Sequence, residues 1–148
     1  MARIHFQLET KLSPGAVLAA LTDFGPKRAD IWPNIDDQHF KLHKQGPGWA
    51  EVTEGSSVAG GVWEREKYTW DSGAGTVSVE TLDSNTWGPG SRWDYKIAGR
   101  GQDGSRVDVT VERHGKGLKG KLIEAGLVVA GAGMLRSQME KAMERSVP

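Results

Sequence analysis

No cysteine occurs in the 148 residues, so disulfides, thiolate metal sites and cysteine nucleophiles are excluded together. Net charge is absent too: nineteen Lys and Arg balance nineteen Asp and Glu, and nothing global marks a nucleic acid or an anionic surface as the partner. The longest uncharged apolar run, Ala125 to Leu135, is too short to span a bilayer, and the opening MARIHFQLET has no apolar signal core. The expectation is a soluble cytoplasmic protein with no stable membrane insertion. Neither a G-x-S-x-G elbow nor a P-loop is present, which leaves serine and nucleotide hydrolysis without support. The histidines, His5, His39, His43 and His114, show no close ligand spacing. Strand alternation puts the first three on an outer surface, so no metal is expected, and no cofactor is implied.

What is plentiful is glycine, twenty residues, and tryptophan, six. The first implies many turns and the second large flat side chains. The length fits one domain, residues 1–148, with room for a sizeable core.

RIHFQLE alternates Ile4, Phe6 and Leu8 against His5 and Gln7, the period of a half-buried strand. LSPGAVLAALTDFG then offers Ser13 as N-cap, Pro14 at the first helical position and an Ala/Leu/Val run ending near Gly25. PKRADIWPNI adds a helical turn that Pro33 stops. From about Gln38 to Arg113 only strand signals follow: HFKLH, WAEVTE, VWEREKYTW, TVSVETL, SRWDYKI and RVDVTVER, separated by glycine-rich turns. This is an antiparallel meander. Residues from about Leu118 to Arg145 read as one long helix, apolar in its middle and charged toward its C-terminus.

That order, and in particular SPGAVLAALTDFGPKRADIWPNI, the pair SRWDYKI and SRVDVTVERHG, and the closing GLKGKLIEAGLVVAGAGMLRSQMEKAMERS, resembles the START and polyketide cyclase superfamily of bacteria across essentially the whole chain. The resemblance implies an α+β helix-grip fold: a curved antiparallel sheet of about seven strands wrapped around the C-terminal helix, enclosing an apolar ligand cavity. Members range from cyclases to lipid carriers and receptors, so the fold leaves the function open.

The strand Val62 to Trp70 carries charge at four successive positions, Glu64, Arg65, Glu66 and Lys67, so two like charges must face inward. Pairing SRWDYKI with RVDVTVER sets Ile97 opposite Val107, Tyr95 opposite Val109 and Trp93 opposite Val111, with Lys96 facing Asp108 and Arg92 facing Glu112 on the outer side. The same test with a four-residue turn from Asp71 to Ala74 puts Tyr68 opposite Val77, Glu66 opposite Val79 and Arg65 opposite Glu80, which sends Glu64 and Glu66 inward. A five-residue turn reverses the faces and brings in Arg65 and Lys67. An inward Glu66 in an apolar cavity has a raised pKa and can act as an acid, a base or a hydrogen-bonding group. The plainer reading places both glutamates at the cavity mouth, hydrated or paired with a helix lysine.

Trp32, Tyr68, Trp70, Trp93 and Tyr95 suit a flat apolar ligand, with core packing as the alternative for each. Gly126, Ala130, Gly131 and Gly133 lie in the centre of the closing helix where Leu is usual, so either the backbone packs close to the sheet or space is left beside it. Ala130 and Gly133 are therefore placed at the cavity. GKGLKG, Gly115 to Gly120, matches G-x-G-x-x-G but has no parallel βαβ unit around it; a basic helix start with Lys116, Lys119 and Lys121 is the milder version.

Two functions follow. One is a carrier or binding protein for a lipid, polyketide or other polycyclic compound. The other is a cyclase or dehydratase in which Glu66 or Tyr95 moves a proton.

Overall fold

The computed structural model describes residues 1–147. Strand β1, Ala2–Thr10, alternates buried and exposed side chains along its length. Helix α1, Pro14–Thr22, starts where expected: the Ser13 hydroxyl accepts from the Ala16 amide at 3.2 Å, and Pro14 occupies the first turn. Helix α2, Arg28–Ile31, is a single turn that ends just before Pro33. Six strands follow: β2, Lys41–Gly46; β3, Trp49–Ser56; β4, Val62–Asp71; β5, Thr76–Ser84; β6, Arg92–Gly99; and β7, Ser105–Arg113. Helix α3, Gly117–Arg145, closes the chain.

All seven strands form one antiparallel sheet in the order β1-β7-β6-β5-β4-β3-β2. Helix α3 lies against β1 and the concave face, and the core between them is built from β-branched positions such as Val77, Val79, Val107, Val109 and Val111. Among the described residues no helix is long and apolar enough to cross a membrane.

The β6–β7 register is the expected one, Ile97 to Val107, Tyr95 to Val109 and Trp93 to Val111. The facing charges do not pair with each other, however. Arg92 binds Asp94 on its own strand at 2.8 Å, and Asp108 sits near His5, 3.6 Å away. Between β4 and β5 the turn has the expected four residues but runs from Ser72 to Gly75, one position later, so Tyr68 meets Val79 and Glu66 meets Thr81. Gly75 decides this: it has φ +68°, and a Cβ there would lie 2.5 Å from the Ile97 carbonyl, so it belongs to the turn and not to the strand. The shift is even in register, so the faces are unchanged and both glutamates point inward. Arg65 consequently pairs with Glu51 of β3 at 3.3 Å instead of with Glu80, which faces Lys67. A register irregularity between Arg65 and Glu66 leaves Leu82 of β5 unmatched in the ladder.

Helix α3 departs from expectation in orientation. Gly131 does pack closely, since a Cβ there would come within 2.8 Å of Ile4. Gly126 and Gly133 would meet nothing, Ala130 is exposed, and Val128 and Val129 face outward, 66% and 87% exposed. The small residues therefore do not hollow out a cavity. Apolar side chains occur all round the middle of the helix, so periodicity alone does not tell the inner face from the outer.

Candidate functional site

A cavity of about 290 Å³ lies between the concave sheet and α3. Its walls include Trp32, Glu66, Tyr68, Trp93 and Tyr95, and α3 contributes Ile123, Leu127, Leu135 and Met139. Exposed Pro33, Asn34 and Val58 sit at its rim, so it opens between α3, the turn after α2 and the β3–β4 loop. Three residues expected there lie elsewhere. Trp70 packs against Phe24 with ring centroids 6.3 Å apart, while Ala130 and Gly133 are on the outer face of α3. Gly133→Leu is thus expected to leave ligand binding untouched and to stabilise the helix by about 1 kcal/mol or less, since glycine disfavours helix by that amount.

The floor of the cavity is charged. Successive inward positions of β4 bring up Glu64, Glu66 and Tyr68, and β3 sets Glu54 directly opposite Glu64. Two arginines enter from opposite sides. Arg28 of α2, whose side chain is 2% exposed, donates from Nε to Glu54 Oε1 at 2.8 Å and from Nη2 to the Tyr68 hydroxyl at 2.9 Å, and that hydroxyl donates on to Glu54. Its Nη1 is taken by the carbonyls of Leu21 and Asp23. Burial works against the Arg28 charge, but Glu54 and Tyr68 outweigh it and hold its pKa above the ordinary value.

Arg113, at the end of β7, reaches across the concave face and grips Glu64 with both Nη atoms, at 2.9 and 2.8 Å. Thr81 also donates to Glu64, at 2.8 Å. Each guanidinium lies over aromatic rings, Arg28 over Phe24 at 4.6 Å and Arg113 over Trp87 at 4.9 Å and Trp93 at 5.2 Å. The partner of Glu64 is therefore a strand arginine and not a helix lysine.

Glu66 sits between these two anchored pairs. It is 3% exposed, and among the described residues nothing bonds to its carboxyl group. Burial first, then the neighbouring Glu64 and Glu54, raises its pKa well above the usual carboxylate range. The Tyr95 hydroxyl, on the neighbouring wall and likewise without a partner among the described residues, is raised mainly by burial. Trp93 and Tyr95 stack with an interplanar angle of 9° and centroids 6.1 Å apart.

Seven-strand order, register and gripped helix can be set beside known structures. No family model and no curated protein matches the chain. A Thermus thermophilus protein matches at 12% identity with a TM-score of 0.80, covering 98% of this chain and 97% of the other. A START superfamily protein from Mycobacterium smegmatis matches at 13% identity and TM-score 0.75, covering 98% and 96%. The Zhui aromatase/cyclase from Streptomyces sp. R1128 matches at 14% identity and TM-score 0.68, covering 98% and 86%. The chain has the START-like helix-grip fold. At these identities the likeness is one of fold.

Within this helix-grip fold, sequence reasoning missed Arg28, Glu54 and Arg113. Two of them were signalled: Glu54 continues the inward parity of Ala50 and Val52, and Arg113 that of Val107, Val109 and Val111. Arg28, on a single helical turn, carried no such signal. GKGLKG serves the backbone. The Gly115 amide donates to Glu124 at 3.1 Å, Lys119 Nζ ties to the Gly61 carbonyl at 2.7 Å, and Gly115 and Gly120 pack too closely for side chains.

Trp93 is half-buried and borders the cavity, so Trp93→Ala is expected to cost less than the roughly 3 to 5 kcal/mol of a fully packed tryptophan. Asp94 on the outer face pairs with the exposed Arg92, and Asp94→Ala should cost under about 1 kcal/mol. Urea melts that returned equal losses would contradict these placements.

Proposed function

We propose that the chain is a single ligand-binding domain that holds a hydrophobic small molecule, a lipid, polyketide or other polycyclic compound, between the sheet and α3, as a carrier or binding protein. The observation behind this reading is an aromatic-walled cavity of about 290 Å³ in which one buried carboxyl group, Glu66, has no protein partner among the described residues. Flat rings bury area against Trp32, Tyr68, Trp93 and Tyr95, and Glu66 supplies one orienting hydrogen bond. The likeness in fold to a START superfamily protein agrees with it.

The second reading, a cyclase or dehydratase, draws on the same Glu66 together with Tyr95, which would give or take a proton, and on the fold shared with an aromatase/cyclase. A catalytic base normally has a group that orients it, and Glu66 has none among the described residues; this favours the carrier.

Native mass spectrometry of the purified protein tests for a retained ligand. Titration with an environment-sensitive apolar dye tests the location. Ile123 is half-buried in the cavity wall, and Ile123→Trp fills the space. Dye affinity should fall at least about tenfold while unfolding stays cooperative. Equal dye binding by Ile123→Trp and wild type would place the ligand elsewhere.

A further inference from the structure

Two arginines in a ligand cavity would ordinarily announce an anionic ligand, since guanidinium groups recognise carboxylates and phosphates. Here the charge of each is already met by a carboxylate. Glu64 takes both outer nitrogens of Arg113, and the donors of Arg28 go to Glu54, Tyr68 and two carbonyls. Trp87 and Trp93 of the cavity wall already have the positive Arg113 guanidinium over their rings, which disfavours a ligand cation there.

Among the described residues, the carboxyl of Glu66 on the cavity floor and the hydroxyl of Tyr95 on the wall beside it have no protein partner and are available to a ligand. We infer that the cavity selects uncharged ligands carrying a hydrogen-bond acceptor, such as a ketone oxygen on a ring system, which accepts a hydrogen bond from the Glu66 carboxyl group, and that it discriminates against anionic amphiphiles such as fatty acids. The internal pairs Arg28–Glu54 and Arg113–Glu64 act as the selectivity device: they cancel the charges that an anion would otherwise use. Burial, then the neighbouring Glu64 and Glu54, raises the Glu66 pKa well above the usual carboxylate range and so favours its protonated, donating form. An entering anion would meet a set of carboxylates already matched to their arginines, and an ammonium would gain a carboxylate partner only after Glu66 had released its proton to solvent, with two guanidinium groups standing nearby.

The inference rests on the binding reading above, and matched probes separate the two. Acetylnaphthalene, naphthoate and naphthylmethylamine share one ring system and differ in charge; each is measured at pH 7 by displacement of the apolar dye. Wild type is expected to bind acetylnaphthalene at least about tenfold more tightly than either charged probe. Some such preference exists for any apolar pocket, so the deciding variant is Glu64→Gln, which leaves Arg113 without its carboxylate. There naphthoate should gain at least about tenfold while acetylnaphthalene changes by less than about threefold. Glu66→Leu, which removes the carboxyl donor and leaves only the Tyr95 hydroxyl, should weaken acetylnaphthalene by about fivefold or more, and Glu66→Gln should retain it.

Naphthoate or naphthylmethylamine binding wild type as tightly as the ketone overturns the inference, as does a Glu64→Gln protein, shown folded by its melt, with no gain for naphthoate. If Glu64→Gln does not fold, the wild-type ranking and the Glu66→Leu loss decide the matter: both are required. Binding of the dye with the wrong ranking rejects only this inference, whereas no binding of dye or probes rejects the carrier reading with it.

Discussion

Glu54→Ala is expected to lower the unfolding free energy at pH 7 by about 3 to 5 kcal/mol, the cost of leaving a buried charge without its partner. Arg28, 2% exposed at its side chain and enclosed by Phe24 and Tyr68, would be left with the Tyr68 hydroxyl and the Leu21 and Asp23 carbonyls as its hydrogen-bond partners. It has no route to neutrality, because a guanidinium keeps its proton at any pH at which the protein is folded. Removing both charges at once, in Arg28→Met with Glu54→Leu, should recover most of the loss, since a buried ion pair and an apolar pair of similar volume are close in energy. The double-mutant cycle by urea unfolding isolates the interaction. A single-variant loss under about 1 kcal/mol would mean that water reaches Arg28 and that the pair is in effect a surface one.

The second large effect is on pH dependence. Burial, reinforced by Glu64 and Glu54, raises the folded-state pKa of Glu66, and an unfolded glutamate titrates near about 4.3. Below that value both states hold the proton and the fold has its full stability from this group. Above it the unfolded chain has released the proton while the native chain keeps it, so the native state binds more protons and stability falls as pH rises. The loss is up to about 1.4 kcal/mol per pH unit and continues until the folded-state pKa is passed. Glu66→Gln removes this titration. The variant should match wild type near pH 4 and be the more stable of the two at pH 7 to 8, by an amount that measures the shift. A Glu66→Gln protein that is less stable than wild type at pH 7 to 8 but equal to it at pH 4 would show an ionised, paired Glu66 in place of a protonated one.

Both predictions concern groups that sequence reasoning treated unequally. Glu66 could be assigned to the inner face because strand parity is a local property: alternation is carried along the chain by the backbone, and a turn of even length transmits it to the next strand. That the turn lies one residue later than expected did not matter for the face. It did matter for the neighbours, since Glu66 meets Thr81 and not Val79. The aromatic wall was legible in the same way, with Tyr68, Trp93 and Tyr95 at inward positions and Trp32 just after the α2 turn. Trp70 has the same parity, but it lies toward the end of β4 where Phe24 closes the core over it.

The α1 cap, the stop at Pro33, the β6–β7 register and the inward glutamates were determined by the sequence alone, because each depends on residues close in the chain or on one turn. The pairs Arg113–Glu64 and Arg28–Glu54 were decided only by the tertiary structure. Strands β6 and β5 separate β7 from β4 in the sheet order, and Arg113 reaches Glu64 only across the concave face. Arg28 meets Glu54 because the short α2 turn is laid over the open end of that face. The inner side of α3 was a tertiary decision as well: with Leu118, Leu122, Val128 and Val129 exposed and Leu127, Leu135 and Met139 buried, the helix has apolar groups on both sides, and its orientation follows from where Gly131 can approach Ile4 and where Leu127 can line the cavity.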